Sequence, residues 1–311
     1  MTIVTTMCKL MFAMLIGYVL FKKGILTKDS NQRMSDLIVK VTCPLLIVYS
    51  VSEVSHDDPQ MVLKLFLAGV ILYLLLPLFG WLVTKIFCVP ENLRGTYMSM
   101  MMFANCQFMG FPVIRALFGE SSIFYSSIFN MPFNILYYSL ALNLFKKDAA
   151  IDSGKMEKEK VHPKDFLNTG IIASVAALVI YFANLRLPDL FYECIGFVGD
   201  ITTPLSMIII GSSLAAASFA DIKSEKGIWW VLPMRLVVLP FLTWCYMHLF
   251  TSDATLIGIC TVTMGMPVAS MVAMGAGRYE RQGKCASICV AVSTICSIVT
   301  IPMMALLLGV A

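Results

Sequence analysis

Ten long apolar blocks, separated by short polar stretches, organise the chain. The blocks cover residues 3–21, 34–51, 61–87, 95–117, 122–145, 166–185, 191–219, 227–250, 254–277 and 285–309. They are apolar on all sides rather than along one 3.6-residue stripe, which is typical of helices that face lipid. Crossing a hydrocarbon core of ~30 Å takes about 20 helical residues, and barrel strands would alternate apolar and polar positions. The pattern predicts an all-α polytopic membrane protein with ten transmembrane helices.

Positive charge is distributed unevenly between alternate loops. Loops counted alternately from the first contain 17 of the 23 lysines and arginines, and the other set contains only Lys64, Arg115 and Arg186. Because basic loops stay in the cytoplasm, we predict a multi-pass protein of the cytoplasmic membrane with both termini outside. Lys9 interrupts the first block and no small-residue cleavage site follows it, so the block is predicted to be a span and not a signal peptide. The net charge of +4 reflects this topology and does not indicate a nucleic-acid partner.

Composition points away from catalysis. Hydrophobic residues make up 59% of the chain and charged residues only 14%, far from the soluble globular norm. The ten cysteines show no CxxC or Cys/His metal spacing, so we interpret them as reduced packing residues. Since no nucleophile–base pair or metal-ligand set falls within the spans, we predict no enzyme activity, no bound metal and no cofactor.

The sequence predicts that the chain consists of two related halves. Residues 146–165 form the longest polar stretch and are predicted to be a cytoplasmic linker between a first five-helix repeat, 1–145, and a second, 166–311. An odd number of spans per repeat inverts the second copy, which is typical of secondary transporters. Three short matches support duplication: VTCPLL with ITTPLS at an offset of 160, LPLFGW with LPFLTW at 163, and MGFPV with MGMPV at 155. The offsets leave two registers, 155 and 163, open for the fourth and ninth spans.

The repeated pentapeptides place glycine and proline inside apolar spans. Gly110 and Pro112 lie in the fourth span, and Gly265 and Pro267 lie in the ninth. These residues interrupt helices, and a break at membrane depth must be buried in protein or line a wet cavity. Two breaks near mid-membrane would direct half-helix N-termini toward an anion. The candidate substrate-binding residues are therefore Asn105, Gln107, Gly110, Pro112, Gly265, Pro267, Val268, Ser270 and, one turn apart in the fifth span, Asn130 and Asn134.

Three charged residues fall within or beside spans. Lys40 and Asp200 each precede a proline of the repeat by four residues, and Arg235 lies in the eighth span. They are candidates for ion coupling or charge pairing. The alternatives are a charge at an outer helix end for Asp200 and side chains that snorkel to the cytoplasmic face for Lys40 and Arg235.

Five stretches follow one another along nearly the full length: GYVLFKKGILT (17–27) with CPLL after it, NCQFMGFPVIRALFG (105–119), TTPLSMIIIGSSLA (202–215), MPVASMVAMGAGRY (266–279) and TIPMMALLL (300–308). In sequence and in order they resemble the auxin efflux carrier family, which comprises bacterial organic-anion permeases and, more distantly, plant auxin exporters.

The resemblance implies a specific architecture and site. Spans 1, 2, 6 and 7 would form a scaffold, often dimeric, and spans 3–5 and 8–10 a transport domain in which broken helices 4 and 9 cross. Asn105 would contact a substrate carboxylate, and the segment after Pro267 would supply partner contacts. Plant members have proline before that asparagine and an amide after the second proline, where this chain has Ala104 and Val268. This departure favours a small mono- or dicarboxylate such as malate or malonate over auxin.

We therefore predict a secondary transporter that moves a small organic anion by alternating access, as a homodimer in the lipid bilayer. An exporter of auxin-like aromatic carboxylates and a passive anion channel remain alternatives, although no ring of like charges marks a channel filter. A membrane receptor is less well supported. Coupling to Na⁺, coupling to H⁺ and facilitated diffusion all remain open.

Overall fold

The computed structural model describes residues 3–54, 58–153, 169–185, 187–216, 225 and 227–309. Apart from turns and one isolated β-bridge, these residues form helices. In chain order the helices are α1 (Ile3–Lys22), α2 (Lys28–Glu53), α3 (Pro59–Ile86), α4 (Glu91–Met102), α5 (Cys106–Phe118), α6 (Ser121–Phe129), α7 (132–153), α8 (Thr169–Phe182), α9 (Asp189–Ala216), α10 (Ile228–Met247), α11 (Ala254–Met264), α12 (Ser270–Ala276) and α13 (Glu280–Leu307).

The helices and their surface are those of a multi-pass membrane protein. Among the described residues, α2, α3, α9, α10 and α13 are each long and apolar enough to cross a membrane, and α5, α8 and α11 are shorter apolar helices. Large apolar side chains such as Leu74, Phe197 and Leu249 are exposed on the outside of the bundle. Such a surface suits lipid rather than water.

Two boundaries differ from the prediction. The second predicted span begins at residue 34, but α2 begins at Lys28 because Thr27 and Ser30 cap each other's backbone N–H groups in a capping box. The predicted linker begins at residue 146, but α7 continues to Ser153. The rest of that linker, 154–165, lies outside the described residues.

Buried apolar side chains form two separate cores. The first core joins α3, α4, α7 and α10–α13, with Tyr73, Phe103 and Phe145 among its fully buried members. The second core joins α1, α2, α8 and α9 to α5 and α6, with single members from α3, α11 and α13, and includes Leu46 and Phe124. The helices therefore divide into two packed groups that meet along α5 and α6.

α1 and α9 pack with their backbones in contact. A Cβ atom on Gly17 would overlap the Ile208 carbonyl, and one on Gly211 would overlap the Met14 carbonyl. Small residues allow this close approach between helices in lipid. α2 is tied to α9 by polar bonds, because Asn31 Nδ2 donates to Ser212 Oγ (2.8 Å) and Thr202 Oγ1 donates to Thr42 Oγ1 (2.9 Å).

Candidate functional site

Two helix interruptions meet at the centre of the structure. The first break, 103–105, separates α4 from α5, and the second break, 265–269, separates α11 from α12. They pair as a short antiparallel bridge between Ala104 and Val268. The Asn105 N–H donates to the Pro267 carbonyl (2.8 Å), and the Ala269 N–H donates to the Phe103 carbonyl (3.0 Å). We call these two paired breaks the crossing.

The crossing satisfies backbone groups that the broken helices release. An unpaired peptide group in a membrane interior costs several kcal/mol, and the two bridge bonds pair two donors and two acceptors. Ser293 Oγ on α13 accepts a further bond from the Val268 N–H (3.2 Å). Tyr137 Oη on α7 donates to the Met271 carbonyl (2.6 Å) just beyond the second break. Neither Ser293 nor Tyr137 is among the residues that the sequence pattern indicates.

The two repeated pentapeptides differ in their place at the crossing. Residues 265–268 of MGMPV lie in the second break, where Val268 pairs with Ala104. MGFPV follows the first break as part of α5. The helix passes Gly110 and Pro112 without interruption, through a π-helical stretch (Cys106–Gly110) and then an α-helical first turn that tolerates proline.

A small cavity of about 40 Å³ lies against the crossing. Five of the ten predicted substrate-binding residues line it, and the other five pack at or beside the crossing and do not line it. The lining five are Asn105, Gln107, Asn130, Asn134 and Ser270, and the other five are Gly110, Pro112, Gly265, Pro267 and Val268.

The amides in the cavity differ in whether the protein already uses them. Within the described part of the chain, the side chains of Asn105 and Asn134 form no hydrogen bond, although their exposed fractions are only 3% and 6%. Asn130 is fully used: its Oδ1 accepts from Tyr73 Oη (2.7 Å) and Cys106 Sγ (3.3 Å), and its Nδ2 donates to the carbonyl and hydroxyl of Ser126. Asn105 and Asn134 are therefore available for a ligand, and Asn130 holds α3, α5 and α6 together.

Asn130 belongs to a buried polar network. Ser126 Oγ also lies 3.1 Å from Thr263 Oγ1 on α11, next to the second break. The sequence pattern does not indicate Tyr73, Ser126 and Thr263, because nothing along their own helices distinguishes them from the other serines, threonines and tyrosines of the spans. Only the packing of α3, α6 and α11 brings them to Asn130 and the crossing.

A second, larger cavity of about 390 Å³ reaches the crossing from another side. It shares Asn105, Phe108 and Ser270 with the first cavity, runs between α9, α12 and α13, and ends at the exposed side chains of Lys28 and Gln32. Asn105 and Ser270 are thus reachable from the end of the bundle where α2 begins.

Two of the predicted charged residues have charged partners. Lys40 is exposed and forms an ion pair with Asp36 one turn earlier (3.1 Å). Asp200 is partly exposed and accepts from Arg115 Nη2 (2.6 Å), which also contacts Glu120 at 2.6 Å. This second ion pair joins α9 of the second core to the end of α5.

Arg235 does not snorkel, contrary to one of the two readings of the sequence. Its side chain is fully buried, with an exposed fraction of 0%, because a π-helical stretch of α10 (Met234–Val238) turns it toward α4. Its Nη1 donates to the Met101 carbonyl at 3.0 Å. No carboxylate lies within ion-pair distance of it among the residues that the structure describes.

Known proteins match this chain over nearly its whole length. The model of a family described as membrane transport protein matches residues 2–305. An uncharacterized transporter of Methanocaldococcus jannaschii is 22% identical over 296 residues, 92% of each chain. An uncharacterized transporter of Methanothermobacter thermautotrophicus is 22% identical over 317 residues, 97% of each chain.

Proposed function

We propose that this chain, which belongs to the membrane transport protein family of the auxin efflux carriers, moves a small organic anion across the cytoplasmic membrane by alternating access. The family and the relatives are transporters, so the chain is a membrane transporter and not an enzyme. The substrate class and the mechanism are our proposal. The anion would be a mono- or dicarboxylate such as malate or malonate.

The unpaired Asn105 amide is the observation that carries the proposal. A buried side-chain amide normally has hydrogen-bond partners in the protein, and the Asn105 side chain has none in the described structure despite lining both cavities. An amide NH₂ donates two hydrogen bonds and suits a carboxylate. In the first turn of α5 the Cys106 and Met109 N–H groups donate to carbonyls of the first break. Those of Gln107 and Phe108 have no backbone acceptor in the described structure and lie next to Asn105. Asn105 and these N–H groups would hold the carboxylate at the crossing.

The second cavity supports an alternating-access cycle. Its mouth lies at Lys28, at the start of α2, on the side that the charge distribution assigns to the cytoplasm, so the described state would face inward. In the Arg115–Asp200 ion pair, Arg115 lies near the opposite, outer end of the fourth predicted span and Asp200 lies in the outer half of the seventh. It would close the outer path in this state.

Two pairs of contacts support the proposed ten spans in two inverted repeats. Thr42 and Thr202, which are 160 residues apart, bond to each other, and 160 is the offset between the repeat matches that contain them. Ala104 and Val268 likewise face each other. Equivalent residues meet in this way where a two-fold axis passes between two copies.

The two cores support the proposed scaffold and transport domain. The first core is built from predicted spans 3–5 and 8–10, and the second core packs spans 1, 2, 6 and 7 against α5 and α6, which belong to spans 4 and 5. In the proposed cycle the first group moves against the second. Exposed apolar side chains on α1 and α9, such as Phe12 and Phe197, offer a surface for a homodimer through the scaffold.

The lining of the first cavity favours one alternative substrate. Phe108, Phe111 and Phe133 line it beside the free amides, and an aromatic ring would pack well against these side chains. An auxin-like aromatic carboxylate is therefore the second candidate. A passive anion channel differs in its kinetics, because its flux would not saturate.

A thermal-shift screen of the purified protein tests the proposal. Malonate, malate, acetate and indole-3-acetate would be compared with chloride and sulfate, with and without Na⁺ and at two pH values. We expect at least one carboxylate to raise the melting temperature of the wild type, since a ligand stabilises the state that it binds, and to saturate in proteoliposome uptake. Equal shifts by chloride or sulfate, or uptake that stays linear with concentration, would contradict the carrier mechanism.

A further inference from the structure

Arg235 is a buried cation with an incomplete set of partners. Its guanidinium is fully buried in the first core, and its Nε and Nη2 have no hydrogen-bond partner in the described structure. A guanidinium stays charged in proteins and has five N–H donors. Burying such a charge without a counter-ion is costly. The side chain must therefore interact with something other than a carboxylate of the described chain.

The helix break explains the one bond that Arg235 does form. In a continuous helix the Met101 carbonyl would accept from the N–H of the residue four positions later, Asn105. At the crossing the Asn105 N–H donates to Pro267 instead. Arg235 Nη1 takes the vacated place at the Met101 carbonyl (3.0 Å). The guanidinium thus caps the C-terminal end of α4, where the helix dipole is negative.

Arg235 acts on the cavity through its charge and not by lining it. It does not line either cavity at the crossing. It lies within electrostatic range of Cys106, Tyr73 and Cys289, and Cys106 follows Asn105 in the chain and lines the first cavity. In a low-dielectric interior a charge is felt well beyond contact distance. An anion held at Asn105 would therefore lie in the field of a fixed positive charge behind the crossing.

We infer that Arg235 is a built-in counter-charge that takes the place of a co-transported cation at the crossing. The inference rests on the proposed anion transport and adds its coupling mode. Arg235 occupies a freed carbonyl at the end of α4, and its charge repels a metal ion from that end. The anion then binds without Na⁺ or a co-transported proton, and the loaded transport domain carries less net charge. Arg235 is a positioning residue in this scheme, because it would not touch the anion.

The experiment compares the wild type with Arg235→Met, Arg235→Lys and a control, Lys40→Met. Lys40→Met also removes one positive charge within a predicted span, but Lys40 is exposed and paired with Asp36. Malonate and indole-3-acetate serve as probes in two measurements. Affinity comes from thermal-shift titrations, and uptake is measured in proteoliposomes with Na⁺ replaced by N-methyl-D-glucamine at two values of the pH gradient.

We expect wild-type affinity and uptake to change less than twofold when Na⁺ or the pH gradient is removed. Arg235→Met should weaken probe binding at least tenfold, Arg235→Lys should recover most of it, and Lys40→Met should bind like the wild type. The melting temperature of probe-free Arg235→Met should stay within a few degrees of the wild type, because removing a buried unpaired charge offsets the loss of the bond to the Met101 carbonyl.

Three outcomes would overturn the inference. In the first, the wild type binds or takes up a probe only when Na⁺ or a pH gradient is present. This measurement needs no variant. Another is Arg235→Met with a lower melting temperature and unchanged probe affinity, the result of a purely structural role. The third is a wild type that responds to neither probe and to no other carboxylate of the screen, and this result alone would also remove the proposed function.

Discussion

The two breaks share a backbone arrangement and differ in their side chains. Each donates one N–H to the other and accepts one in return. The first break ends at Asn105, whose amide is unpaired and faces both cavities. The second break consists of Gly265, Met266, Pro267, Val268 and Ala269, and is followed by Ser270.

Hydrogen bonds from two neighbouring helices hold the second break. Ser293 on α13 accepts from the Val268 N–H, and Tyr137 on α7 donates to the Met271 carbonyl. The difference indicates that the two breaks have different roles, although their backbones pair in the same way. The first break would bind the ligand, and the second would be anchored. The predictions below test that division, from the largest expected effect to the smallest.

Asn105→Ala should have the largest effect. Removing the free amide takes away donors that only the bound anion would use, so affinity and uptake should fall at least tenfold, about 1.4 kcal/mol or more. The melting temperature of the ligand-free protein should stay near that of the wild type, because the amide has no protein partner to lose. Carboxylate uptake at the wild-type rate would show that the first break does not bind the substrate.

Asn134→Ala and Asn130→Ala form a matched pair in the same cavity. Asn134→Ala should weaken carboxylate binding several-fold and leave the melting temperature unchanged. Asn130→Ala leaves the Tyr73 hydroxyl without its acceptor, and an unsatisfied buried group costs about 1–3 kcal/mol. It should therefore lower the melting temperature by several degrees. The assignment is wrong if the two variants exchange these phenotypes in thermal-shift titrations.

Ser293→Ala should loosen the second break. The Val268 N–H loses its acceptor in a buried site, and stability should fall by about 1–3 kcal/mol, with a smaller effect on affinity than Asn105→Ala. Ser139→Ala is the control, because Ser139 is exposed and bonds only to carbonyls of its own helix. A Ser293→Ala protein as stable as Ser139→Ala would argue that the second break needs no anchor.

Asp200→Asn should have the smallest effect. It weakens the partly exposed ion pair with Arg115, and such pairs are worth about 0–1 kcal/mol. Uptake should change less than about fivefold. Since salt screens exposed charges, the wild-type rate should depend on KCl concentration more steeply than the rate of Asp200→Asn. Parallel salt curves for the two proteins would show that the pair does not control the outer path.

Some features of the site could be read from the sequence, because they depend on helix length and on proline. Glycine and proline within apolar blocks predict a break in the fourth and in the ninth span, and the second break contains Gly265 and Pro267. Gly110 and Pro112 were harder to interpret, because a π-helical stretch and a first-turn position let the helix pass them. Side-chain spacing along one helix does not reveal partners on another helix, so Ser293 and the Tyr73–Asn130 bond could not be predicted. The burial of Arg235 could not be predicted either, because it depends on the packing of α10 against α4.

The bonds across the crossing have a consequence for motion. The Asn105 and Ala269 amide protons are shared between two helices that lie far apart in the chain. Neither helix can slide past the other unless both bonds break, so α4, α5, α11 and α12 should shift as one piece. Those two protons should then exchange with deuterium as slowly as protons in an intact helix, although they border a cavity. Spin labels on α5 and α12 should keep their mutual distance while both change their distance to α1.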